Sequence, residues 1–389
     1  MSAFRVLSPY RFNPLGAHVD HQGGAVLART LEARTELLAR PNGERALRLE
    51  AELDEGAERL ECALGEVPEA PRWARYAAAA AAALDARRGP LIGIDGRVSG
   101  SMIAAGLSSS ASFLLAVITA LARANGLVLP PAELVDLVRE VEHDHLELAN
   151  GIQDQLSIVH GRAGALALLD VDRVEASHVP DPPEASNVRW VLCFSGVRRE
   201  LVGSGFNTRV SECAAAAGAL HPGARRLCDV PLAARTPVAI DALPDPLGRR
   251  ARHVYGEIER VAEGAAAWGA GDIARFGALV NASCASSIEL YGSGSEWLVA
   301  LQQIALATPG VLGSRFSGGG YGGCLVMLAD ASRAEAVGAA VLDAYLERYP
   351  GMRDRARTFD AGEGGTLRVE SIEDVHEPLA PPPGANAPP

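Results

Sequence analysis

The segment at residues 106–112 constrains the fold most strongly. Its sequence is Gly-Leu-Ser-Ser-Ser-Ala-Ser, and an apolar stretch follows directly at residues 113–123. Glycine allows backbone conformations that other residues avoid. Serines at the start of a helix offer hydroxyls and unpaired backbone N–H groups beside the positive end of the helix dipole. The pattern predicts a helix that begins here, preceded either by an ordinary serine cap or by a cradle for a phosphate group.

The charged residues exclude several classes of protein. The chain contains no lysine, so all 36 basic residues are arginine. A P-loop needs a lysine beside its phosphates, and Schiff-base catalysis needs a lysine amine, so both are excluded. The formal net charge of −12 gives no electrostatic reason to bind nucleic acid.

The order of apolar and polar segments predicts a two-domain α+β protein. A length of 389 residues with 48% apolar side chains suits two domains. Strand-like and helix-like segments do not alternate strictly, which favours α+β over a doubly wound sheet. A proline-rich segment at 180–187 divides a first domain, 1–185, from a second, 186–380. The proline- and alanine-rich tail at 381–389 is expected to be disordered.

The location expected from the sequence is the cytoplasm. No apolar stretch is long enough to span a bilayer, so no membrane association is predicted. The first residues have no apolar core of signal-peptide length. Six scattered cysteines without a CxxC pair favour reduced thiols over a disulfide framework or a zinc site.

A second glycine-rich segment, Ser-Gly-Gly-Gly-Tyr-Gly-Gly, lies at residues 317–323. It formally matches GxGxxG, but a dinucleotide-binding fingerprint needs a helix directly after it. Here the apolar run at 324–328 predicts a strand. The segment is therefore either a glycine-rich hairpin or a loop lying close to a bound phosphate.

Two further segments contain ionisable groups. Arg11, His18 and Asp20 belong to a polar loop region that ends in two glycines, where such groups either bind a hydroxylated ligand or pair with each other. Asp154 lies in Gly-Ile-Gln-Asp-Gln at residues 151–155. It either caps the following helix or acts as a general base toward a substrate hydroxyl.

These segments occur in an order that resembles a known family. Residues 11–24, 106–112, 151–155 and 316–324 look like the successive motifs of the GHMP small-molecule kinases, and specifically of the galactokinase-like sugar 1-kinases. Residues 250–257 also resemble a galactokinase helix. The resemblance covers residues 5–328. It implies the two-domain GHMP kinase fold, with an active site between the domains that transfers a phosphoryl group from ATP to a sugar C1 hydroxyl.

The resemblance also implies a role for individual residues. Asp154 is the expected catalytic base, with Arg11 beside it to keep the carboxylate ionised. Mg²⁺ is expected on Ser109 or Ser110 together with Glu142, which precedes Asp154 by twelve residues. The expected ATP phosphate-binding residues are Gly106, Leu107, Ser108, Ser109, Ser110, Ala111, Gly319 and Gly320.

One departure from the galactokinase pattern concerns the substrate. Galactokinases have Glu-His-x-Asp where this chain has Ala17-His18-Val19-Asp20, and that glutamate is expected to contact the sugar C6 hydroxyl. Alanine removes a charge that would repel a C6 carboxylate. Several stretches, including residues 8–11 and 209–213, look more like galacturonokinases. The expected substrate-binding residues are Ala17, His18, Asp20, Gly151, Phe206, Arg198 and Arg199.

The sequence leaves three functions open. The first is a uronic-acid 1-kinase, with D-galacturonate as the expected substrate and glucuronate not distinguished from it. The second is a galactokinase or another hexose 1-kinase that tolerates Ala17. The third is a catalytically silent sensor of sugar and ATP, which the presence of Arg11, Glu142 and Asp154 disfavours. Phe206 stands where a sugar-contacting tyrosine is expected, and Arg198 and Arg199 are either carboxylate partners or solvated surface residues.

Overall fold

The computed structural model describes residues 2–53, 56–100, 106–146, 151–198 and 205–372. The predicted disordered tail and Arg199 lie outside these ranges. Within them, strands form two sheets, and helices cover both. The α+β fold expected from the sequence is confirmed.

The first sheet has eight strands and is built mainly from the first half of the chain. Its central path is β12-β1-β2-β5-β3-β4, while β6 pairs with β2 and β7 pairs with β6. All of its pairs are antiparallel except β3 with β5. The strands are β1 (Phe4–Leu15), β2 (Val26–Pro41), β3 (Ala46–Leu53), β4 (Gly56–Ala63), β5 (Ile94–Gly100), β6 (Ala165–Asp170), β7 (Glu175–Pro180) and β12 (Arg368–Ser371).

The second sheet has four antiparallel strands in the order β11-β8-β10-β9. Its central strands are almost wholly buried, since helices and the first sheet cover its faces. The glycine-rich segment forms the turn between β9 and β10. The strands are β8 (Val188–Phe194), β9 (Val311–Phe316), β10 (Cys324–Asp330) and β11 (Arg357–Asp360).

Ten α-helices lie in the described ranges, and their composition explains their packing. The alanine run of α1 is buried, which lets α1 pack closely against α2 and α3. Helix α2 buries most of its length because its residues are apolar all round. The helices are α1 (Arg72–Arg88), α2 (Ser109–Ala124), α3 (Pro131–Leu146), α4 (Gln153–Val159), α5 (Phe206–Leu220), α6 (Pro237–Asp241), α7 (Leu247–Gly269), α8 (Ile273–Ser286), α9 (Glu296–Ala307) and α10 (Ala334–Arg348).

The chain crosses between the two sheets more than once. The segment predicted to divide the domains forms a 3-10 turn at Pro183–Asn187, directly before β8. The boundary at 185/186 remains a prediction. Strand β12, from the predicted second domain, returns to the first sheet and pairs with β1 from Phe4 to Leu7.

Candidate active site

A pocket opens where the two sheets meet. It is lined by the end of β1, the loop after it, the start of α4, the start of α5 and the turn between β9 and β10. The sequence therefore brings together segments separated by up to 300 residues of chain. The lining residues are Asn13, Ala17, His18, Asp20, Gly151, Gln153, Asp154, Phe206, Arg315, Gly318 and Gly319.

Arg11 and Asp154 form an ion pair at this pocket. Arg11 is 1% exposed, and its Nε donates to Asp154 Oδ1 at 3.0 Å while Nη2 contacts the same oxygen. Arg11 Nη1 donates to the Ser317 carbonyl at 3.0 Å. The Asp154 side chain keeps 13% exposure and lines the pocket. The guanidinium thus fixes the carboxylate while leaving it accessible to a small molecule.

A second carboxylate, Asp20, lies close to the first. Burial raises the pKa of Asp20 to about 6, and the charge of Asp154 adds to the rise. The backbone N–H groups of His21 and Gln153 donate to it and oppose the rise. Because folding raises this pKa, the native protein binds the proton more tightly than the unfolded chain, and Asp20 contributes stability that grows as the pH falls from about 6 to 4. Ionised Asp20 can accept hydrogen bonds from sugar hydroxyls.

Gly151 has a steric reason to be glycine. A Cβ at this position would overlap the carboxylate of Asp20. Glycine therefore allows the backbone before α4 to approach Asp20 closely, and this approach brings Asp154 to the same pocket. Gly151 was expected to bind substrate; it lines the pocket and makes room for the Asp20 carboxylate, and a contact with substrate stays a prediction.

His18 is held in an uncommon backbone conformation by its contacts. Its φ is +58°, in the left-handed region. Its ring stacks on Tyr291 with 4.0 Å between centroids, and Nε2 lies 3.2 Å from Ser293 Oγ. Ser293 donates its own proton to the Ser287 carbonyl, so Nε2 of His18 is the donor of that pair. His18 is thereby presented to the pocket in one orientation.

The loop that carries Ala17 is fixed by a buried carboxylate. Glu257 on α7 accepts hydrogen bonds from the backbone N–H groups of Gly16 and Ala17, at 2.9 and 3.1 Å. Its Oε2 accepts from Arg260 Nε at 2.6 Å. Burial alone would raise the pKa of Glu257, but Arg260, His253 and Arg315 lower it to about 2. An ionised carboxylate therefore holds the backbone at Ala17.

His253 supports the same loop from the other side. Its Nε2 donates to the Ala17 carbonyl at 3.0 Å, and its Nδ1 accepts from Ser286 Oγ at 2.8 Å. Burial lowers the pKa of His253 to about 4, so the imidazole is neutral near pH 7. No role was predicted for His253 or Glu257, although residues 250–257 resemble a galactokinase helix and thus contained the signal. Tyr291 and Arg315 had no such signal.

The predicted phosphate loop joins the glycine-rich turn. Ser317 Oγ donates to the Gly106 carbonyl at 3.0 Å, and Arg11 N donates to the Leu107 carbonyl at 3.2 Å. Gly106 and Ser108 both have positive φ, and α2 begins at the next residue, Ser109. The first turn of α2, whose N–H groups form the positive end of the helix dipole, therefore begins beside this junction, as an anion site requires.

The predicted phosphate-binding residues differ in whether their side chains or only their backbones can contact a phosphate. Leu107 and Ala111 have fully buried side chains, so only their backbones can contact a phosphate. Ser109 and Ser110 are half-buried at the start of α2, and Ser108 is buried. Gly106 completes the loop.

Of the glycines in the second segment, only some face the pocket. Gly318 and Gly319 line it. Gly320 does not: its φ is +85°, and a Cβ there would lie 2.8 Å from the Phe316 ring. Gly320 therefore permits the turn itself.

The residues expected to hold Mg²⁺ provide oxygen donors only. Glu142, on α3, is 3% exposed, and α3 packs against α2, where Ser109 and Ser110 stand. Within the described ranges no group of three His, Cys, Asp or Glu side chains could hold a metal ion by itself. Carboxylate, hydroxyl and nucleotide phosphate oxygens are the donors that Mg²⁺ takes in kinases, so these residues fit the ion.

The remaining expected residues divide between the pocket and the surface. Phe206 lines the pocket at the start of α5. Arg198 follows β8, its side chain is exposed, and its carbonyl lies beside Gly322. It is not among the residues that line the pocket. Arg199 falls outside the described residues.

Comparison with known proteins identifies the family. The model for the GHMP kinases N terminal domain matches residues 75–162, and that for GHMP kinases C terminal matches residues 262–347. A galacturonokinase from Arabidopsis thaliana is 37% identical over 371 residues, covering 89% of this chain and 87% of that protein. A galactokinase from Chloroflexus aurantiacus is 34% identical over 370 residues, covering 94% of each.

A solved structure agrees with these matches. The structure of Lactococcus lactis galactokinase complexed with galactose superposes with a TM-score of 0.85 and 27% identity, over 94% of this chain and 95% of that one. The chain belongs to the GHMP kinase family, which takes its phosphoryl group from ATP. Within it, the chain is a member of the sugar-kinase branch that contains the galacturonokinases and galactokinases. No helix in the described residues is long and apolar enough to cross a membrane.

Proposed function

We propose that this chain phosphorylates D-galacturonate at C1, with ATP as donor and galacturonate 1-phosphate and ADP as products. The observation that carries the proposal is the Arg11–Asp154 pair in a pocket where Ala17 replaces the expected glutamate. The similarity to a galacturonokinase over most of the chain supports it.

Asp154 is the proposed base. The C1 hydroxyl oxygen attacks the γ-phosphorus of ATP, its proton passes to the Asp154 carboxylate, and the bond to the β-phosphate oxygen breaks to release ADP. Arg11 holds Asp154 through Oδ1 and offsets the negative charge that develops near it. Phosphoryl transfer depends mainly on positioning and charge neutralisation, and a fixed ion pair in a small pocket provides both.

The ATP phosphates are proposed to lie against the start of α2. There the carbonyl of Gly106 accepts a hydrogen bond from Ser317 of the glycine-rich turn, and α2 begins at Ser109, directly after Ser108. Ser109 or Ser110, with Glu142, would hold Mg²⁺, which when bound neutralises charge on the phosphates. Arg11 contacts both sides of this junction, through the carbonyls of Leu107 and Ser317. It therefore links the phosphate side of the site to Asp154.

The sugar hydroxyls are proposed to bind His18 and Asp20. Both side chains line the pocket with Asp154; Ser293 holds the His18 ring, and two backbone N–H groups donate to the Asp20 carboxylate. Phe206 contributes an apolar wall where a tyrosine would offer a hydroxyl. Alanine at position 17 leaves the C6 side of the sugar without a repelling carboxylate.

A substrate panel tests the proposal. ADP release from ATP and Mg²⁺ is measured with galacturonate, glucuronate, galactose and glucose, using Asp154→Asn as the matched control for enzyme-dependent turnover. Selective turnover of galacturonate is expected. Selective turnover of galactose would replace the proposal with a galactokinase, and sugar binding without turnover of any of the four would favour a sensor.

A further inference from the structure

Arg315 is a pocket residue that the phosphoryl transfer described above does not use. It lies in β9, two residues before the glycine-rich segment, and is 2% exposed. It nevertheless lines the same pocket as Ala17, His18 and Asp154. A guanidinium buried at a substrate pocket needs an anionic partner, because a buried unpaired charge is costly.

Arg315 and the backbone of Ala17 flank one carboxylate oxygen. Oε1 of Glu257 lies 3.1 Å from Ala17 N and 3.8 Å from Arg315 Nη1. The guanidinium and the backbone of Ala17 thus approach the same oxygen, and both residues line the pocket at the position where galactokinases are expected to have a glutamate. In this chain that position holds a methyl group.

Two arginines, Arg260 and Arg315, share the single carboxylate of Glu257 beside the backbone of Ala17. Glu257 pairs more closely with Arg260, at 2.6 Å, than with Arg315, at 3.8 Å. His253 adds no charge near pH 7. The groups of the described residues that act on Arg315 are Glu257, Arg260, Arg11 and the thiol of Cys284, which burial keeps protonated near pH 7. Since Asp154 pairs with Arg11, the negative charge of Glu257 is shared between Arg260 and Arg315.

The hydrogen bonds of Arg315 leave one nitrogen available among the described residues. Nε donates to the Phe316 carbonyl at 3.1 Å. Nη1 lies 3.4 Å from the Pro14 carbonyl and 3.2 Å from Ser283 Oγ. Nη2 has no hydrogen-bond partner in the described ranges. Two nitrogens thus fix the guanidinium plane and the third is open to a ligand in the pocket.

We propose that Arg315 binds the C6 carboxylate of the sugar acid, in the space left by alanine at position 17. The assignment rests on the proposed uronate 1-kinase function. The substrate carboxylate would supply the anion that the cluster lacks, and the planar guanidinium suits carboxylate recognition. Arg315, rather than the exposed Arg198, is then the residue that selects a uronic acid.

The test compares galacturonate with galacturonamide, which has nearly the same shape but no charge. We expect the wild type to favour the acid over the amide by about a hundredfold in kcat/KM, as for other buried charge pairs. Arg315→Met should bring that ratio close to one, mainly through KM for the acid. Arg315→Lys, which keeps the positive charge but lacks the planar pair of guanidinium donors, should give an intermediate acid-to-amide ratio. Arg198→Met should keep the wild-type ratio.

The acid-to-amide ratio separates recognition from a structural role, since a loop displaced by the substitution would harm both substrates equally. If Arg315→Met does not fold, the acid-to-amide ratio of Arg315→Lys is compared with that of wild type instead. An unchanged ratio in the folded variant would overturn the assignment to Arg315 while the uronate kinase function stood. If the wild type used galactose and not galacturonate, the proposed function would fail, and the Arg315 assignment with it.

Discussion

Replacing Ala17 with glutamate tests the basis of substrate choice. Ala17 is 5% exposed, and its backbone is held on both sides, by Glu257 through the N–H group and by His253 through the carbonyl. The backbone position is therefore expected to survive substitution. The new carboxylate would enter the pocket side of the loop, where the C6 group of the sugar is expected.

Coulomb's law sets the size of the effect. Two unit negative charges about 4 Å apart repel by about 4 kcal/mol at an effective dielectric constant near 20, which is about a thousandfold in affinity. Arg315 lies near this position and would offset part of the repulsion. We therefore expect Ala17→Glu to lower kcat/KM for galacturonate by roughly a hundredfold to a thousandfold. The effect on galactose should be much smaller, because its C6 group is uncharged.

The assay is steady-state ADP release with both sugars, in wild type, Ala17→Glu and Ala17→Gln. Glutamine has nearly the same size as glutamate but no charge, so it measures the steric part of the effect alone. The charge argument would be refuted if galacturonate and galactose lost activity equally in Ala17→Glu. It would be refuted equally by a glutamine variant that discriminated against the acid as strongly as the glutamate variant.

Three further substitutions test the site. Asp154→Asn should lower turnover at least about a hundredfold while sugar binding, measured by calorimetry, survives; retained turnover would remove Asp154 as the base. Asp20→Asn lacks a carboxyl whose pKa is about 6. As the pH is lowered from 6 to 4, the free energy of unfolding of Asp20→Asn, measured in urea, should therefore fall relative to that of wild type by about 1.4 kcal/mol per pH unit. Plots of unfolding free energy against pH that ran parallel for the two proteins would contradict this. Gly151→Ala should displace Asp20 and raise KM for sugar far more than KM for ATP. Equal increases in the two KM values would exclude the role of Gly151 in placing Asp20 at the sugar pocket.

Helices were easier to predict from the sequence than strands. The alanine run at residues 77–83 predicts a helix over 72–88, and α1 has these bounds because helix propensity and burial agree there. Strand β4 was not predicted, since its exposed glutamates and arginine lack the alternation of a half-buried strand. The sequence predicts two strands in this region, at 26–30 and 34–39. Strand β2 instead runs unbroken from Val26 to Pro41, because it pairs with β1, β5 and β6 in turn.

The active-site prediction depended on ordered motifs, and it missed contacts that only the fold creates. The proposed pairing of Arg11 with Asp154 followed from the resemblance, and the two side chains do meet. Glu257 reaches Ala17 across 240 positions of the sequence, and Arg315 reaches Pro14 across 301. Neither contact has a local pattern, since a buried ion network depends on which helices and strands are packed together.

The return of β12 to β1 affects synthesis of the protein. Strand β1 carries Arg11, and its edge from Phe4 to Leu7 is covered by residues 368–371. A nascent chain therefore exposes this edge until residues 368–371 have left the ribosome. Unpaired strand edges promote aggregation, and folding is slow when such distant segments must pair. Truncation before residue 368, or a stall late in translation, would leave the strand that carries Arg11 open to pairing with other chains.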